Sequence, residues 1–303
     1  MHRARALLAF VLSLAVLGSS SAIRAQAPQP YRILISNDDG VRAAGIAVLA
    51  QTLQAIGDVS IVAPAENYSG AGHSIVTSAP VFREDLTLPN GLKAIGLTAT
   101  PASTVDIALR NILSSPPDLV VTGINRGYNL GLSIYVSGTN AAAREAAFRG
   151  IPAIATSIET SVTPQELGSA AEEVLGVARR VKQHGIPKGG FLNVNVPPRP
   201  TGGYKGYMVT TAASIKGGTE SFAEVKRPAT NQTVYWDVFT PENSPAPQGT
   251  DIWAVANGYV SVTPLKVGET DTSGAGTWVG AAPTPSTAKA PACIGLRGSM
   301  AGL

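Results

Sequence analysis

Short apolar runs alternate with stretches of helical periodicity over residues 31–198. Each run is apolar at almost every position, which is typical of a strand buried on both faces of a sheet. The stretches between the runs repeat apolar residues at helical spacing and therefore predict helices. The predicted strands are YRILIS, VSIVAP, LKAIGL, DLVVTGI, PAIATSI and FLNVNVP, at residues 31–36, 59–64, 92–97, 118–124, 152–158 and 191–197.

The predicted helices carry start or stop signals. Thr163 and Glu166 have the spacing of a capping box, which predicts a helix that continues to about His184. Thr100 followed by Pro101 predicts another helix start, with the threonine as N-cap. Glycines follow two further periodic stretches and indicate where those helices stop. The four predicted helices cover residues 45–56, 101–113, 140–149 and 164–184.

This alternation of strands and helices predicts the fold class. Strands that alternate with helices pair in parallel through right-handed crossovers. We therefore predict an α/β fold, with a mostly parallel sheet and helices on both of its faces, over residues 31–198. Ligands of such sheets bind beyond the carboxyl ends of the strands, so the loops at that edge are the place to look for chemistry.

The pattern changes after Pro198. Segments rich in Val, Tyr, Trp and Thr are separated by Pro and Gly clusters, which predicts a smaller, antiparallel β-rich extension over residues 199–267. Such a region would cover a sheet edge or pair with another subunit. Residues 268–303 are rich in Pro, Ala, Ser and Gly and predict a disordered tail, which contains the only cysteine, Cys293. The three β segments predicted in the extension are 204–214, 232–239 and 251–265.

The N-terminus has the layout of a secretory signal peptide. Arg3 and Arg5 precede an apolar run at residues 6–17, and small residues follow. The run is too short to span a bilayer comfortably, so we expect export to the periplasm without a stable membrane anchor. An uncleaved anchor or an incorrectly assigned start codon is the alternative. We place the signal peptide at residues 1–25.

Composition and charge then exclude one class of partner. The 303 residues are 44% hydrophobic and 14% charged, as in a compact domain with extensions. Cleavage after Ala25 removes three arginines and no acidic residue, which takes the formal net charge from +3 to 0. The basicity of the full chain therefore does not indicate binding to a nucleic-acid polymer. A single cysteine also excludes an intramolecular disulfide.

Asp38 and Asp39 are adjacent carboxylates at the end of the first predicted strand. Like charges on neighbouring, partly shielded residues repel, so ionisation of both needs a compensating cation or basic side chain. Two other loops should meet them at the same edge of the sheet. They are AENYSGAGHS at residues 65–74, with Ser69, Gly70 and His73, and NRGYNLGLSIYVSGTN at residues 125–140, with Asn125, Ser137, Gly138 and Thr139.

These loops together indicate a metal-assisted phosphoryl site. Carboxylate, amide and hydroxyl oxygens without thiolates suit Mg²⁺ or Mn²⁺ better than a closed zinc site. Glycines beside Ser69 and before Thr139 let the backbone approach a phosphate, and the helix that SGTN opens favours an anion at its N-terminus. Each piece also has a simpler interpretation: a turn at Asp38, an N-cap at Ser137, a hydrogen-bonded loop residue at His73. Neither a dinucleotide-binding nor a P-loop glycine pattern is present.

The blocks ILISNDDGVRAAGI, VAPAENYSGAGHSIV, PDLVVTGINRGYNLGLSIYVSGTNAAAREA and GYVSVTPL resemble, in order and spacing, those of the SurE family of 5'/3'-nucleotidases, the stationary-phase survival proteins. The resemblance spans residues 32–265. It implies a Rossmann-like core, a smaller swapped C-terminal part, and a homodimer or tetramer. It also implies hydrolysis of nucleoside monophosphates, in some members of short polyphosphate as well, with a divalent metal.

The resemblance also implies roles for individual residues. The implied metal ligands are Asp38, Asp39, Ser69 and Asn125. The implied phosphate contacts are Asn37, Gly70, Ser137, Gly138 and Thr139. His73, from the second loop, is a further predicted substrate contact. Asp39 rather than Asp38 is the first choice for handling a proton. The chain departs from the family at residues 99–104, where it has ATPAST and the family usually has GTPADC.

The function predicted from these observations is a metal-dependent phosphomonoesterase that acts on nucleotides. Two alternatives come from other classes. An exported nucleotide- or phosphate-binding protein would share the loops but release no phosphate. A solute-binding protein would have two similar α/β lobes, and the sequence pattern shows only one.

We expect the mature protein to begin between Ile23 and Pro28, because the charged start and short apolar run are those of a cleaved signal peptide. N-terminal sequencing of protein recovered from the periplasm or the medium measures this directly. Soluble cytoplasmic protein that still begins at Met1 would contradict the prediction.

Overall fold

The computed structural model describes residues 30–215, 218–241 and 246–268. The predicted signal peptide at residues 1–25 lies outside the described residues, as does the predicted tail beyond residue 268. None of the helices in the described ranges is long and apolar enough to cross a membrane.

Eleven strands and five α-helices make up the described part of the chain. The strands are β1 (Arg32–Ser36), β2 (Asp58–Pro64), β3 (Arg83–Thr87), β4 (Lys93–Leu97), β5 (Leu119–Arg126), β6 (Ala153–Ile158), β7 (Gly190–Val196), β8 (Tyr207–Val209), β9 (Gly218–Lys226), β10 (Thr233–Pro241) and β11 (Val260–Lys266). The helices are α1 (Ala44–Leu53), α2 (Pro101–Ile107), α3 (Gly138–Phe148), α4 (Pro164–His184) and α5 (Asp251–Ala256). A π-helical turn (Ala108–Ile112) extends α2, and a 3₁₀ turn (Gly131–Tyr135) precedes α3.

Nine strands form one sheet in the order β3-β4-β2-β1-β5-β6-β7-β11-β8. The six strands from β4 to β7 in this order pair in parallel, while β3 and β11 run antiparallel to β4 and β7. β9 and β10 form a separate antiparallel hairpin. The predicted α/β fold with a mostly parallel sheet and a smaller β-rich extension is confirmed.

The two faces of the sheet are covered by different helices. Successive side chains of β1 point to opposite faces, so Ile33 and Ile35 pack in one apolar cluster and Leu34 packs in the other. α1 and α4 cover the first face, where Leu49 and Val174 contribute to the cluster. α2 and α3 cover the second face. This packing leaves the carboxyl ends of β1, β2 and β5 together at one edge.

Several local predictions are confirmed in detail. The capping box at the start of α4 has both of its hydrogen bonds, because the Thr163 hydroxyl accepts from the Glu166 N–H and the Glu166 carboxylate accepts from the Thr163 N–H. α2 begins with Pro101 as predicted, although the Thr100 hydroxyl donates to the Ser74 carbonyl instead of capping the helix.

The interpretation of residues 251–265 as strand throughout is wrong over its first part. Asp251 opens α5, and the Thr250 hydroxyl caps it by accepting from the Trp253 N–H. β11 follows, and it joins the main sheet between β7 and β8, antiparallel to β7 and parallel to β8. β3 and β9 were not predicted.

Candidate active site at the carboxyl edge of the sheet

The turn after β1 brings two acidic residues to the carboxyl edge of the sheet. β1 is buried up to Ser36, and the two residues behind it, Asn37 and Asp38, are buried as well. Gly40 has φ +99°, which favours glycine, and a Cβ at this position would lie 3.1 Å from the Glu66 carbonyl carbon. The Asn37 side-chain amide donates to the Gly40 carbonyl at 2.8 Å. The chain therefore turns sharply here, against the loop that follows β2.

Asp38 is the buried carboxylate of this edge, with 3% of the residue exposed. Its Oδ1 accepts a hydrogen bond from the Thr139 hydroxyl at 2.6 Å. Burial raises the pKa of Asp38 to about 6, and the charge of Asp39 adds to this effect, while the hydrogen bond from Thr139 opposes it. Ionised Asp38 is therefore costly on its own, and a nearby cation would stabilise it.

Asp39 follows Asp38 directly but is less buried. Its Oδ2 accepts a hydrogen bond from the backbone N–H of Arg126 at 3.3 Å. Burial raises the pKa of Asp39, and the hydrogen bond and charge of Arg126 act in the opposite direction. The two carboxylates thus have different surroundings, because a short hydroxyl contact holds Asp38 while a longer contact links Asp39 to the end of β5.

A cavity of about 220 Å³ opens where the three loops meet. Asp38 reaches it from β1, Ser69 and Gly70 from the loop after β2, Asn125 from β5, and Ser137 from the start of α3. A Cβ placed at Gly70 would meet nothing within 4 Å, and its φ of +78° favours glycine, so a ligand can approach the backbone closely there. The structure therefore brings together residues from all three predicted loops.

Backbone hydrogen bonds tie the loop after β2, residues 65–78, to the other two loops. The Tyr68 N–H donates to the Asp38 carbonyl at 2.8 Å, and the Gly72 N–H donates to the Val136 carbonyl at 3.0 Å. The position of this loop over the cavity therefore depends on both the turn after β1 and the segment before α3.

Helix α3 begins directly behind Asp38. The hydroxyl of Ser137, its N-cap, accepts from the Asn140 N–H at 3.0 Å. A Cβ at Gly138 would lie 2.7 Å from the Asp38 Cβ, so only glycine allows this close approach. Thr139, the next residue, is the donor to Asp38. Asp38 also accepts a hydrogen bond from the Thr139 backbone, and the positive end of this 11-residue helix favours negative charge in the adjoining space.

The predicted substrate contact His73 lies elsewhere. Its Nε2 is 3.1 Å from Glu145 Oε2, and its ring meets the Phe148 ring edge-on at 5.3 Å. Burial acts to raise the pKa of Glu145, but hydrogen bonding with His73 and the charge of Arg149 outweigh it, so that this pKa is lowered. His73 lines a second cavity, of about 370 Å³, and not the one that Asp38 lines. Its observed contact links the loop after β2 to α3.

Asn129 also lines the Asp38 cavity, and the sequence prediction missed it. Its side-chain amide donates to Ser157 Oγ at 2.8 Å, and its backbone N–H donates to Asn195 Oδ1 at 3.0 Å. Its carbonyl accepts from the side-chain amides of Asn193 and Asn195, at 2.7 and 3.1 Å. The available signal was the pair of asparagines at alternate positions of the predicted strand FLNVNVP, because polar residues in a buried strand need polar partners.

The C-terminal region supports the same loop. Asp251, the first residue of α5, is fully buried. Its carboxylate accepts from the Gly131 N–H at 2.8 Å and from the Ala213 N–H at 2.9 Å. The 3₁₀ turn before α3 is therefore fixed by a residue 120 positions away in the chain.

Residues 99–104, where the chain departs from the family, contact the loop after β2. The Ser103 hydroxyl accepts from the Val76 N–H at 2.8 Å, and the Thr100 hydroxyl donates to the Ser74 carbonyl at 2.6 Å. These contacts hold the far end of the loop after β2 against α2. The loop is thus anchored at position 103 by a neutral hydroxyl.

The side chains predicted to hold a divalent cation are Asp38, Asp39, Ser69 and Asn125. The Asn125 amide nitrogen donates to the Gly127 carbonyl at 2.5 Å, which leaves its Oδ1 for a cation. The buried Asn37 Oδ1 has no hydrogen-bond partner in the structure. No group of three or more His, Cys, Asp or Glu in the described part of the chain could hold a metal. Two carboxylates with neutral oxygens fit a hard cation that keeps several waters.

Comparisons with known proteins agree with this geometry. Residues 33–217 match the family model of the survival protein SurE. A Coxiella burnetii protein named 5'-nucleotidase SurE is 38% identical over 78% of this chain and 89% of its own length. The Thermus thermophilus 5'-nucleotidase SurE 1 is 41% identical over 78% and 92%. The crystal structure of the SurE protein from Aquifex aeolicus superposes with a TM-score of 0.70, at 35% identity, over 81% of this chain and 97% of that chain.

Gly138→Ala should destabilise the protein, because the new Cβ would lie 2.7 Å from the Asp38 Cβ and 3.0 Å from Pro101 Cγ. Overpacking of this kind costs about 1–3 kcal/mol. Urea unfolding followed by circular dichroism measures the free energy of unfolding.

Gly168→Ala is the matched control, because a Cβ there meets nothing within 4 Å in the interior of α4. It should leave the free energy of unfolding unchanged or raise it by up to about 1 kcal/mol. A Gly138→Ala protein as stable as wild type would show that α3 does not pack so closely on Asp38.

Proposed function

The chain belongs to the SurE family, and on this premise we propose that it is a 5'-nucleotidase that hydrolyses nucleoside monophosphates to nucleoside and phosphate with a divalent cation, Mg²⁺ or Mn²⁺. The observation that carries the proposal is the position of Asp38. A buried carboxylate, the N-terminus of a helix and the open backbone at Gly70 meet at one cavity. The helix end offsets only part of the carboxylate's charge, because the pKa of Asp38 is still raised, and a cation bound beside it would offset the rest and attract a phosphate.

The substrate phosphate would lie at the start of α3. The positive end of α3 would attract it, and the backbone at Gly70 can be approached without a side chain in the way. Donors held in place by folded structure stabilise charge that develops on phosphoryl oxygens in the transition state. The Ser137 N-cap and the contact between Thr139 and Asp38 keep this helix end in position.

The two carboxylates would have different roles, one in binding the cation and one in accepting a proton. Asp38, with one oxygen held by Thr139, has its other oxygen for a cation. Asp39 is more exposed and has a longer contact, so it is the carboxylate that can accept a proton from an attacking water. When bound, the cation supplies electrophilic polarisation of the phosphoryl oxygens and lowers the pKa of a bound water.

The direct test is release of phosphate from a panel of nucleoside 5'- and 3'-monophosphates and simple phosphate esters, with and without EDTA. We expect release from 5'-monophosphates that EDTA abolishes and that added Mn²⁺ or Mg²⁺ restores. Binding of AMP without release of phosphate under any of these conditions would instead support a nucleotide-binding protein.

Asp39→Asn should lower kcat by about 10²-fold or more, because the amide keeps the size of the side chain but cannot accept the proton. It should also lose most of the rise in melting temperature that Mn²⁺ gives the wild type, since a ligand of the native state stabilises by RT ln(1 + [L]/Kd), about 2.7 kcal/mol at one hundred times Kd. Steady-state kinetics and thermal melts measure the two effects.

Asp58→Asn is the control for this substitution, because it makes the same chemical change at the exposed start of β2, at the opposite edge of the sheet. Its kcat and its Mn²⁺-induced shift should equal those of the wild type. Equal Mn²⁺ shifts in the Asp39→Asn and wild-type proteins would reject the proposed role of Asp39 in holding the cation.

We further propose that the β9–β10 hairpin joins copies of this chain into a dimer or tetramer. The hairpin is a two-stranded sheet separate from the main one, and such hairpins are marginal alone. Phe222 is 69% exposed and Trp236 is 68% exposed, and Val225 and Tyr235 are exposed on the same two strands. Aromatic side chains left in water on a protruding element favour burial against a partner.

Phe222→Ser combined with Trp236→Ser should shift the protein to monomer, because the substitutions remove the largest exposed apolar side chains of the hairpin. Light scattering coupled to gel filtration gives the mass. Arg227→Ser, in the exposed turn of the same hairpin, should leave the mass unchanged. A wild-type protein that is monomeric and active at micromolar concentration would contradict the assembly proposal.

A further inference from the structure

Arg126 is the last residue of β5, next to Asn125, and it lines the cavity together with Asp38. Of the described residues that line this cavity, it is the only basic one. Its backbone N–H donates to Asp39 Oδ2 at 3.3 Å. The main chain of Arg126 therefore contacts one proposed cation ligand, while its side chain places a positive charge near the cavity.

The guanidinium group is oriented by a neutral partner. Its Nε and Nη2 donate to the Thr160 carbonyl oxygen at 3.2 and 2.9 Å. An arginine side chain has five N–H groups, so this carbonyl uses only part of its donor capacity. A carbonyl oxygen, unlike a carboxylate, carries no formal charge that would neutralise the guanidinium. The residue remains exposed, so the other N–H groups are accessible.

The partner carbonyl is itself held at the same edge of the sheet. Thr160 follows β6, the strand that pairs in parallel with β5. The Gly127 N–H donates to the Ile158 carbonyl at 2.9 Å, which joins the chain segments just beyond the two strands. The two hydrogen bonds therefore place the guanidinium at the exposed carboxyl ends of β5 and β6.

The charges around the cavity indicate a role for the Arg126 guanidinium. The proposed substrate is a phosphate monoester, which is a dianion or nearly so at neutral pH, and it would enter a cavity beside two carboxylates. A divalent cation offsets only part of this negative charge. Arginine binds phosphoryl oxygens through short, charge-assisted hydrogen bonds that are about twice as strong as neutral ones.

We propose that Arg126 is a substrate-binding residue, whose guanidinium donates to a non-bridging phosphoryl oxygen of the ligand while the Thr160 carbonyl holds it in place. The proposal rests on the proposed function for the identity of the substrate, but the phosphate contact can be tested without turnover. The competing interpretation is that Arg126 only joins the ends of β5 and β6. That role would affect stability and leave phosphate affinity unchanged.

The test compares Arg126→Gln and Arg126→Lys with the wild type. Glutamine keeps a donor for the Thr160 carbonyl but loses the charge, whereas lysine keeps the charge but not the planar, forked group. The control is Arg179→Gln, the same change on the exposed surface of α4, roughly 22 Å along that helix from its start at the cavity edge. Inorganic phosphate is the probe, measured by calorimetry in the presence of Mn²⁺ and by competitive inhibition of AMP hydrolysis.

Arg126→Gln should weaken phosphate binding by roughly 10-fold or more and raise KM for AMP by a similar factor, with a smaller effect on kcat. Arg126→Lys should keep part of the wild-type affinity for phosphate. Arg179→Gln should keep all of it. The Mn²⁺-induced melting shift should be no smaller in Arg126→Gln than in the wild type, because the backbone N–H that contacts Asp39 remains and the variant removes a positive charge near the proposed cation site.

Unchanged phosphate affinity and KM in Arg126→Gln would overturn the proposal, and so would a wild-type protein that binds no inorganic phosphate. A lower melting temperature with unchanged affinity would assign Arg126 the purely structural role. If the wild type binds phosphate through Arg126 but releases none from any nucleotide, the proposed hydrolysis fails and the binding role of Arg126 stands.

Discussion

The hydrogen bond from Thr139 to Asp38 is the contact on which the arrangement of the site depends. It joins residues 101 positions apart, and it fixes the start of α3 against the end of β1. The helix can come this close only because Gly138 has no side chain. The same closeness removes water from the Asp38 carboxylate and raises its pKa, so the packing that builds the site also creates its need for positive charge.

The loops around Asp38 are held mainly by polar contacts. Tyr68 and Gly72 attach the loop after β2 through backbone hydrogen bonds, and Asn129 is surrounded by amide and hydroxyl partners. Asp251 fixes the 3₁₀ turn from the C-terminal region. Directional hydrogen bonds fix donors and acceptors in angle as well as distance, whereas apolar contacts are non-directional. Hydrogen bonds therefore hold a site that orients a phosphate more accurately than apolar contacts would.

Much of the fold could be predicted from the sequence because its signals are local. Apolar strands buried on both faces, the capping box at Thr163 and the alternation of strand and helix need no knowledge of distant residues. The failures have physical reasons too. β3 is an edge strand with a charged, exposed sequence, and it lacks the apolar pattern of a buried strand. α5 was missed because Val and Trp suggested a strand, although Thr250 and Asp251 are good helix-start residues.

The sequence predicted those site residues whose positions are determined by the ends of the strands. Asp38 and Ser69 follow β1 and β2, Asn125 lies at the end of β5 and Ser137 follows that strand. The parallel topology therefore brings all four to one edge. His73 differs because its position depends on Glu145, a partner 72 residues away on α3, and no spacing rule reveals that contact. Asn129 was missed for the same reason, since its partners are the Ser157 hydroxyl on β6 and two side-chain amides on β7.

The adjacent carboxylates of Asp38 and Asp39 have different surroundings. Both pKa values are raised by burial, but Asp38 has a short contact to a hydroxyl and Asp39 has a long contact to a backbone N–H. A group held rigidly is suited to coordination, and a group with weaker contacts is suited to proton transfer, because the latter must change its hydrogen bonding as the proton moves. The environment, and not the residue type, therefore separates the two proposed roles.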